Sequence, residues 1–418
     1  MKFQLKCLKN NQVEYWTYDN VKNIVYDPQG KDQLEKFKLK EYKRYYPCNG
    51  EDTKFAFEDY VTDFYIVLGL KCNFHCKYCH QTDLPKDWVK EATPSKIDHL
   101  IDLIKSSGLR IDKNLLFWGG EPLVYWKTLK YAIPKLREFL PDIKFSIVTN
   151  GSLLNDEKFE FFKKYNVDIC ISYDGHHTLR DYPVFDNKTV FESTKKALHN
   201  GGKISILPLV NNVSDMPQDI KKDMCNRFEH NIGVGFHSIA KCDSNGASFV
   251  KTVTISEKRL KEYYDTIYEM LHKEPSEIEP SLFDRFDELR GSIARGIPVD
   301  SIRSSCSVHL GNHMVVDING DILLCMNYPF KSYGNLKDYK NVKITGFYSH
   351  QLKKKCMSCP YINACFGVCP IIKDENGPEF EVNCHNYKPC AEAMFKSAID
   401  SLFGVRVLDI VPLEESEQ

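Results

Sequence analysis

Cys72-Asn73-Phe74-His75-Cys76-Lys77-Tyr78-Cys79 is the stretch around which the rest of the chain is organised. It follows a short apolar run, Tyr65 to Leu70, that reads as a buried strand. The spacing is Cys-x3-Cys-x2-Cys. Three thiolates on one loop suit a [4Fe–4S] cluster that leaves one iron without a protein ligand. A structural zinc ion would want a fourth ligand, and His75 or His80 stands close in sequence to supply it. On this loop alone both readings are open.

Outward from the loop, the chain has 418 residues, room for two or three domains or for one large barrel with an appendage. The formal net charge of -1 offers no basic field to attract nucleic acid or anionic lipid. No apolar run approaches the roughly 20 residues of a membrane span. The opening Met1-Lys2-Phe3-Gln4-Leu5-Lys6 has no long apolar core, so a cytoplasmic location is expected rather than export. That expectation decides how to read the sixteen cysteines: as metal ligands rather than disulfides. Cys7, Cys48, Cys170, Cys225 and Cys242 are scattered singly and read as small buried hydrophobes.

Residues 1–60 form an N-terminal extension. Phe3 to Leu8 and Gln12 to Tyr18 pair as a hairpin with Asn10-Asn11 at the turn, and Lys31 to Tyr45 reads as a solvated helix. From residue 65 to about 272, short apolar runs alternate with helical patterns. The strands are Tyr65–Leu70, Leu115–Trp118, Lys144–Thr149, Val167–Ser172, Lys203–Leu209 and Gly233–Ile239. The helices lie near 95–107, 124–139, 155–165, 188–199, 215–229 and 256–272, the first with Ser95 as N-cap. Six such alternations imply parallel strands joined by crossover helices, with ligand loops at the carboxyl ends of the strands. Those ends carry Gly119-Gly120-Glu121-Pro122, Thr149-Asn150-Gly151 and Ser172-Tyr173-Asp174-Gly175. The paired glycines let backbone approach a ligand closely, and Pro122 fixes the turn.

Further on, residues 273–305 connect, holding a helix near 281–295. His313 to Ile318 and Asp321 to Leu324 read as two short strands around Asn319-Gly320, a type I′ turn signal. The cysteines then run Cys306, Cys325, Cys356-x2-Cys359-x5-Cys365-x3-Cys369 and Cys384, with Gly320 four residues clear of Cys325. Ala391 to Ser401 reads as a short amphipathic closing helix and Glu414 to Gln418 as a disordered tail.

These motifs resemble two known families. Cys-x3-Cys-x2-Cys with Tyr78 before the last cysteine, followed by Gly-Gly-Glu-Pro, resembles the radical S-adenosylmethionine (SAM) superfamily. The resemblance implies a partial (β/α)6 TIM-like barrel over 61–272. It also implies a cluster on Cys72, Cys76 and Cys79 whose open iron binds SAM, and cleavage of SAM to a 5′-deoxyadenosyl radical. Gly119, Gly120, Glu121 and Pro122 would meet the methionyl group, Tyr78 the adenine, and Asn150 and Ser172 would also lie at SAM. The later cysteines resemble a SPASM domain over 306–390, which implies two auxiliary [4Fe–4S] clusters: an outer one on Cys356, Cys359, Cys365 and Cys384, and an inner one on Cys306, Cys325 and Cys369. No further cysteine lies between Ser307 and Asn312, which leaves an open iron or a ligand such as His309. A zinc knuckle is the structural alternative for Cys356 to Cys384. Residues 391–418 close the chain.

Three clusters, SAM, a peptide or protein substrate and a low-potential electron donor such as a flavodoxin or ferredoxin are therefore expected, with no nucleic acid and no membrane. Maturation of a ribosomally made peptide, by oxidising or crosslinking a side chain, leads. An anaerobic sulfatase-maturating, formylglycine-forming enzyme is the alternative. In that family an aspartate directly follows the Gly-x4-Cys cysteine as base, whereas Met326-Asn327 follows Cys325 here. An iron–sulfur electron carrier or scaffold is the reading from another class. The catalytic base is not identified. His176, His177, His237, His309 and Tyr328 are pocket candidates that read as packing or surface residues.

Overall fold

The computed structural model describes residues 1–34, 53–79, 81, 84, 89–236, 239–241, 247–298, 311–326, 332–347 and 349–413. They divide into two compact units. One comprises 54–253 with 307–345. The other joins 1–53, 254–306 and 346–418.

The first unit is built on one sheet. Its strands are β1 (Tyr60–Val67), β2 (Arg110–Trp118), β3 (Lys144–Thr149), β4 (Val167–Ser172), β5 (Ile204–Leu207), β6 (Gly233–Val234), β7 (His313–Asp317), β8 (Asp321–Leu323) and β9 (Ser332–Asn335). The order across the sheet is β6-β5-β4-β3-β2-β1-β7-β8-β9. Strands β1 to β6 are all parallel and sequential. Four of their connections carry α1 (Pro94–Ser107), α2 (Trp126–Phe139), α3 (Asp156–Lys164) and α4 (Lys188–His199), and α5 (Pro217–Phe228) leads into β6. This is the partial (β/α)6 barrel expected from the alternation, and β7 continues it by pairing parallel to β1.

The strands show why the pattern was readable. Burial alternates along β3 and β4, with Phe145, Ile147, Thr149, Val167, Ile169 and Ile171 buried. The intervening Ser146, Asp168, Cys170 and Ser205 share the other face with Asp63, Tyr65 and Asn114, where they line a cavity of about 240 Å³. Helix α1 buries Ile97, Leu100, Ile101, Leu103 and Ile104, the three-to-four spacing that lays one helical face on the sheet. Each such side chain stabilises the fold by about 1.5–3 kcal/mol relative to exposure.

Several local expectations are corrected. Thr93, not Ser95, is the N-cap of α1, because Pro94 takes the first helical position and its fixed φ starts the helix there. The strand expected at Gly233–Ile239 shortens to Gly233–Val234, with Ile239 returning only as an isolated bridge to Val210. At the β7–β8 connection Gly320 has φ +78° while Asn319 stays outside the left-handed region. The Asp317 carboxylate accepts from the Asn319 and Asp321 N–H groups at 2.8 and 3.0 Å. A turn tied down by that side chain, with one glycine in the left-handed region, replaces the type I′ turn. At Asn10-Asn11 the expected hairpin turn is present, both residues in the left-handed region with φ of 48° and 62°.

In the second unit Lys2–Lys9 and Gln12–Asp19 form the expected hairpin. Arg406–Pro412 pairs antiparallel with the outer edge of Lys2–Lys9. The closing helix is longer than expected: Pro378–Phe403 runs 26 residues and includes Cys384 and Cys390. Tyr18 is fully buried beneath it, its ring 4.7 Å from Phe395. The Tyr18 hydroxyl donates to Asn23 at 2.8 Å and accepts from Asn363 at 2.8 Å. Asn20 donates to the carbonyls of Met357 and Cys359. The hairpin is thus fastened to the cysteine-rich segment. The helix expected at Lys31 to Tyr45 and the tail Glu414 to Gln418 lie almost wholly outside the described residues.

Candidate active site

The cysteine loop leaves β1 and crosses the carboxyl ends of β2, β3 and β4. Cys72, Cys76 and Cys79 all line one cavity of about 390 Å³, with Tyr78, Gly119, Gly120, Glu121, Asn150 and Ser172 also in its wall. Of the residues assigned from sequence in this unit, Pro122 alone among these loops is absent from the wall. It is buried at the start of a 3₁₀ turn instead. The paired glycines have a packing reason of their own beside the one expected. A Cβ on Gly119 would sit 2.7 Å from the Gly69 carbonyl oxygen, and one on Gly120 2.5 Å from that of Lys71. They admit the backbone that carries the cysteine loop, which hydrogen-bonds there through Gly120 N–H to Gly69 and Glu121 N–H to Lys71.

Glu121 is 1% exposed, and its carboxylate is already engaged. It accepts from the Thr149 hydroxyl at 2.7 Å, the Asn150 N–H at 2.7 Å and the Leu123 N–H at 2.8 Å. Burial raises its pKa, and these donors oppose the rise. The side chain therefore clasps the end of β2 to the end of β3. Asn150 in turn donates to Asn73 at 2.9 Å, so the same turn holds the cysteine loop.

Sequence reading missed Arg180. It lines the cavity, is 12% exposed at its side chain, and binds the fully buried Asp174 through two nitrogens at 3.0 and 3.2 Å. Asp174 also accepts from the Tyr78 hydroxyl at 2.8 Å and the Leu209 N–H at 2.9 Å. Burial works against the Arg180 charge, and the Asp174 carboxylate outweighs it. The guanidinium lies 5.4 Å from the Tyr78 ring centroid. Asp174 stands in the quoted Ser-x-Asp-Gly turn, but Arg180, six residues on, carries no motif.

The donor set fits an iron–sulfur cluster. Three thiols of one short loop face one cavity whose wall also holds a protonated guanidinium, a suitable neighbour for an anionic group. Burial pushes the Cys76 thiol up to about 12, and Arg180 opposes that rise. Of the two histidines considered as a fourth zinc ligand, His75 also lines this cavity, exposed and with its backbone N–H donating to Asp181 at 2.9 Å, and His80 lies outside the described residues. His176 and His177 are exposed and bound to Asp223 and Asp215. His237, His309 and Tyr328 lie outside the described residues.

The second unit contains its own cysteine group. Cys356, Cys359, Cys365 and Cys384 lie within electrostatic reach of one another, around a core of Ile362, Val368 and Phe380. Burial raises all four thiols. Cys390 is fully buried beside Tyr263 and Tyr387. Cys306 lies outside the described residues, and Cys325 and Cys369 belong to different units.

Comparison with known proteins adds to this geometry. Residues 66–224 match the Radical SAM superfamily model. The chain is 26% identical to the radical SAM cyclopropyl synthase TigE of Paramaledivibacter caminithermalis over 50% of this chain and 44% of that protein, less than half of its length. It is 24% identical to a serine-type anaerobic sulfatase-maturating enzyme of Bacteroides thetaiotaomicron over 72% of this chain and 81% of that one. Among solved structures, native anSMEcpe with bound AdoMet and Cp18Cys peptide superposes with a TM-score of 0.55 at 16% identity, covering 82% of this chain and 99% of that one, a likeness of fold.

Proposed function

We propose that the chain, whose residues 66–224 match the Radical SAM superfamily model, is a radical SAM enzyme that oxidises or crosslinks a side chain of a ribosomally made peptide. Cys72, Cys76 and Cys79 would hold a [4Fe–4S] cluster and the adjoining cavity SAM, which together supply a 5′-deoxyadenosyl radical. Around them the protein's own residues position and exclude water. Tyr78 presents a ring fixed by its hydroxyl bond to Asp174, Arg180 supplies a buried positive charge, and Asn150 and Ser172 supply polar wall. The bound AdoMet and peptide of the fold neighbour support this use of the cavity. A low-potential flavodoxin or ferredoxin would deliver the electron.

Position 326 carries the choice of reaction. In sulfatase-maturating enzymes, the resemblance places an aspartate base directly after the Gly-x4-Cys cysteine. Here Met326 packs on the apolar cluster of Val67, Leu70, Val89, Val315 and Leu323. Its carbonyl accepts from Gln81, a residue of the cavity wall, at 3.2 Å. Thioether cannot take a proton from a target side chain. Among the described wall residues Glu121 is the one carboxylate, and three donors occupy it. Among the described wall residues, no carboxylate without bound donors stands where formylglycine chemistry would use one. This supports the peptide-maturation reading over the sulfatase reading.

The test is mass spectrometry of the anaerobically reconstituted enzyme with SAM and reductant. Given a sulfatase-type peptide containing Cys-x-Pro-x-Arg, it should form 5′-deoxyadenosine slowly and no formylglycine. Given its own precursor peptide, it should yield a product lighter by two hydrogens or crosslinked. Robust aldehyde formation would restore the sulfatase reading, and no SAM cleavage at all would favour an electron carrier or scaffold.

A further inference from the structure

Two cations of the cysteine-rich unit have no role in the chemistry above. Lys353 caps the short helix Lys354–Met357 and is 2% exposed. Its Nζ has no hydrogen-bond partner among the described residues. The Phe380 ring centroid lies 5.6 Å away, a contact that leaves the three N–H donors unused. The groups within its electrostatic reach are Cys356, Cys369, Cys365 and the carboxylate of Glu375. Glu375 already accepts the Lys355 N–H at 2.9 Å. Arg285, on the helix Pro280–Arg295, approaches from a different element. Its Nη2 is closed off from solvent and also unpartnered among the described residues. Its guanidinium sits 5.7 Å from the Phe366 ring centroid and 5.5 Å from that of Tyr387, with Cys390 and Cys365 in electrostatic reach. Both cations therefore converge on Cys365.

Buried charges persist where an opposite charge or a hydrogen-bond acceptor meets them. Neutral thiols are weak acceptors and provide neither. A [4Fe–4S] cluster on four thiolates provides both: it is a net anion, more negative by one charge after reduction, and its sulfurs accept hydrogen bonds. We propose that Lys353, with Arg285, is the built-in counter-charge of an auxiliary cluster held by Cys356, Cys359, Cys365 and Cys384. The Lys353 ammonium donates to a cluster or cysteinyl sulfur and makes the cluster easier to reduce. Both residues are positioning residues: they tune the acceptor of an electron and do not touch substrate. The inference rests on the auxiliary-cluster reading of these cysteines.

The experiment uses full-length, reconstituted protein carrying Cys72→Ala, Cys76→Ala and Cys79→Ala, which leaves only the later cysteines to bind metal. Iron is counted, and reduction is titrated by electron paramagnetic resonance. The signal lost in an added Cys384→Ala variant identifies the cluster. Lys353→Met should move that signal to more negative potential by a tenfold change in the reduction equilibrium, about 59 mV for one electron. Lys353→Arg should restore it, and Arg285→Gln should move it in the same direction. Loss of this cluster's iron in Lys353→Met, with circular dichroism and melting unchanged and rescue by Lys353→Arg, would equally support a counter-charge. Full iron loading with unchanged potential in Lys353→Met and Arg285→Gln would overturn the inference. If Lys353→Met fails to fold, the Arg285→Gln potential decides alone. Zinc in place of iron in the parent protein would instead remove the auxiliary-cluster reading itself.

Discussion

The Asp174 carboxylate connects the cysteine loop to the barrel, and single substitutions at it and its partners separate structure from ligand binding. Asp174→Asn replaces an acceptor by a donor facing Arg180, Tyr78 and the Leu209 N–H, and strands the Arg180 charge. Breaking a buried pair this way costs about 3–5 kcal/mol, which urea denaturation should record. Tyr78→Phe removes one neutral hydroxyl donor and should cost about 1 kcal/mol while keeping the ring. If the ring packs on SAM, SAM affinity should fall with Tyr78→Ala far more than with Tyr78→Phe, a comparison that equilibrium dialysis can make. Glu121 carries a structural role beside the one its motif implies. Glu121→Ala leaves the Thr149, Asn150 and Leu123 donors unpaired in a buried site, so destabilisation of at least about 1–3 kcal/mol is expected together with weaker SAM binding. Unchanged stability would show that the clasp between β2 and β3 is dispensable.

At the scale of the element, β7 is buried along its whole length, and it opens with a titratable group. His313 is 6% exposed, its ring 4.6 Å edge-on from Tyr65, and its Nδ1 has no hydrogen-bond partner among the described residues. Burial lowers its pKa from 6.5 to about 4, with the nearby Asp63 charge opposing. The folded state therefore holds the ring neutral, while the unfolded chain takes up a proton near pH 6.5. Stability from this group is full above that pH and is lost as pH falls toward 4. Between pH 7.5 and 5 the loss should reach about 2 kcal/mol. Urea titrations at several pH values should show His313→Gln with a flatter dependence than the parent. The same strand illustrates what sequence could and could not reveal. Alternation and turn residues located β3, β4 and the five helices α1 to α5 within a residue or two, because each burial pattern is local. The parallel pairing of β7 with β1, some 250 positions apart, leaves no local trace. Nor does the pairing of Arg406–Pro412 with Lys2–Lys9, which makes the apparent extension part of the cysteine-rich unit. At the site the cysteines and Gly-Gly-Glu-Pro were legible because each forms a short motif of fixed spacing in the sequence itself. Arg180 was not, since a lone arginine becomes distinctive only once folding buries it against Asp174.

At the scale of the whole molecule the candidate cluster ligands fall in both units, and the proposed clusters set an iron count. Cys72, Cys76 and Cys79 lie in the barrel unit, while Cys356, Cys359, Cys365 and Cys384 gather in the other. The three clusters expected from the cysteine motifs should give about twelve iron atoms per chain on full anaerobic reconstitution. The described wall of the barrel-loop cavity lies in one unit and the described core around Cys356 in the other. Emptying one should therefore leave the other loaded. Replacing Cys72, Cys76 and Cys79 with alanine should lower the count to about eight and abolish SAM cleavage. Replacing Cys356, Cys359, Cys365 and Cys384 should also leave about eight, with the barrel cluster's SAM-sensitive electron paramagnetic resonance signal retained. The two losses have different structural consequences, because the barrel loop is anchored by Glu121, Asn150 and Asp174, whereas the Cys356 segment packs around its thiols. Thermal melting should thus fall further in the second variant than in the first. Stoichiometric zinc without iron would sink the three-cluster reading, and iron near eight in the parent protein would remove the inner cluster from it.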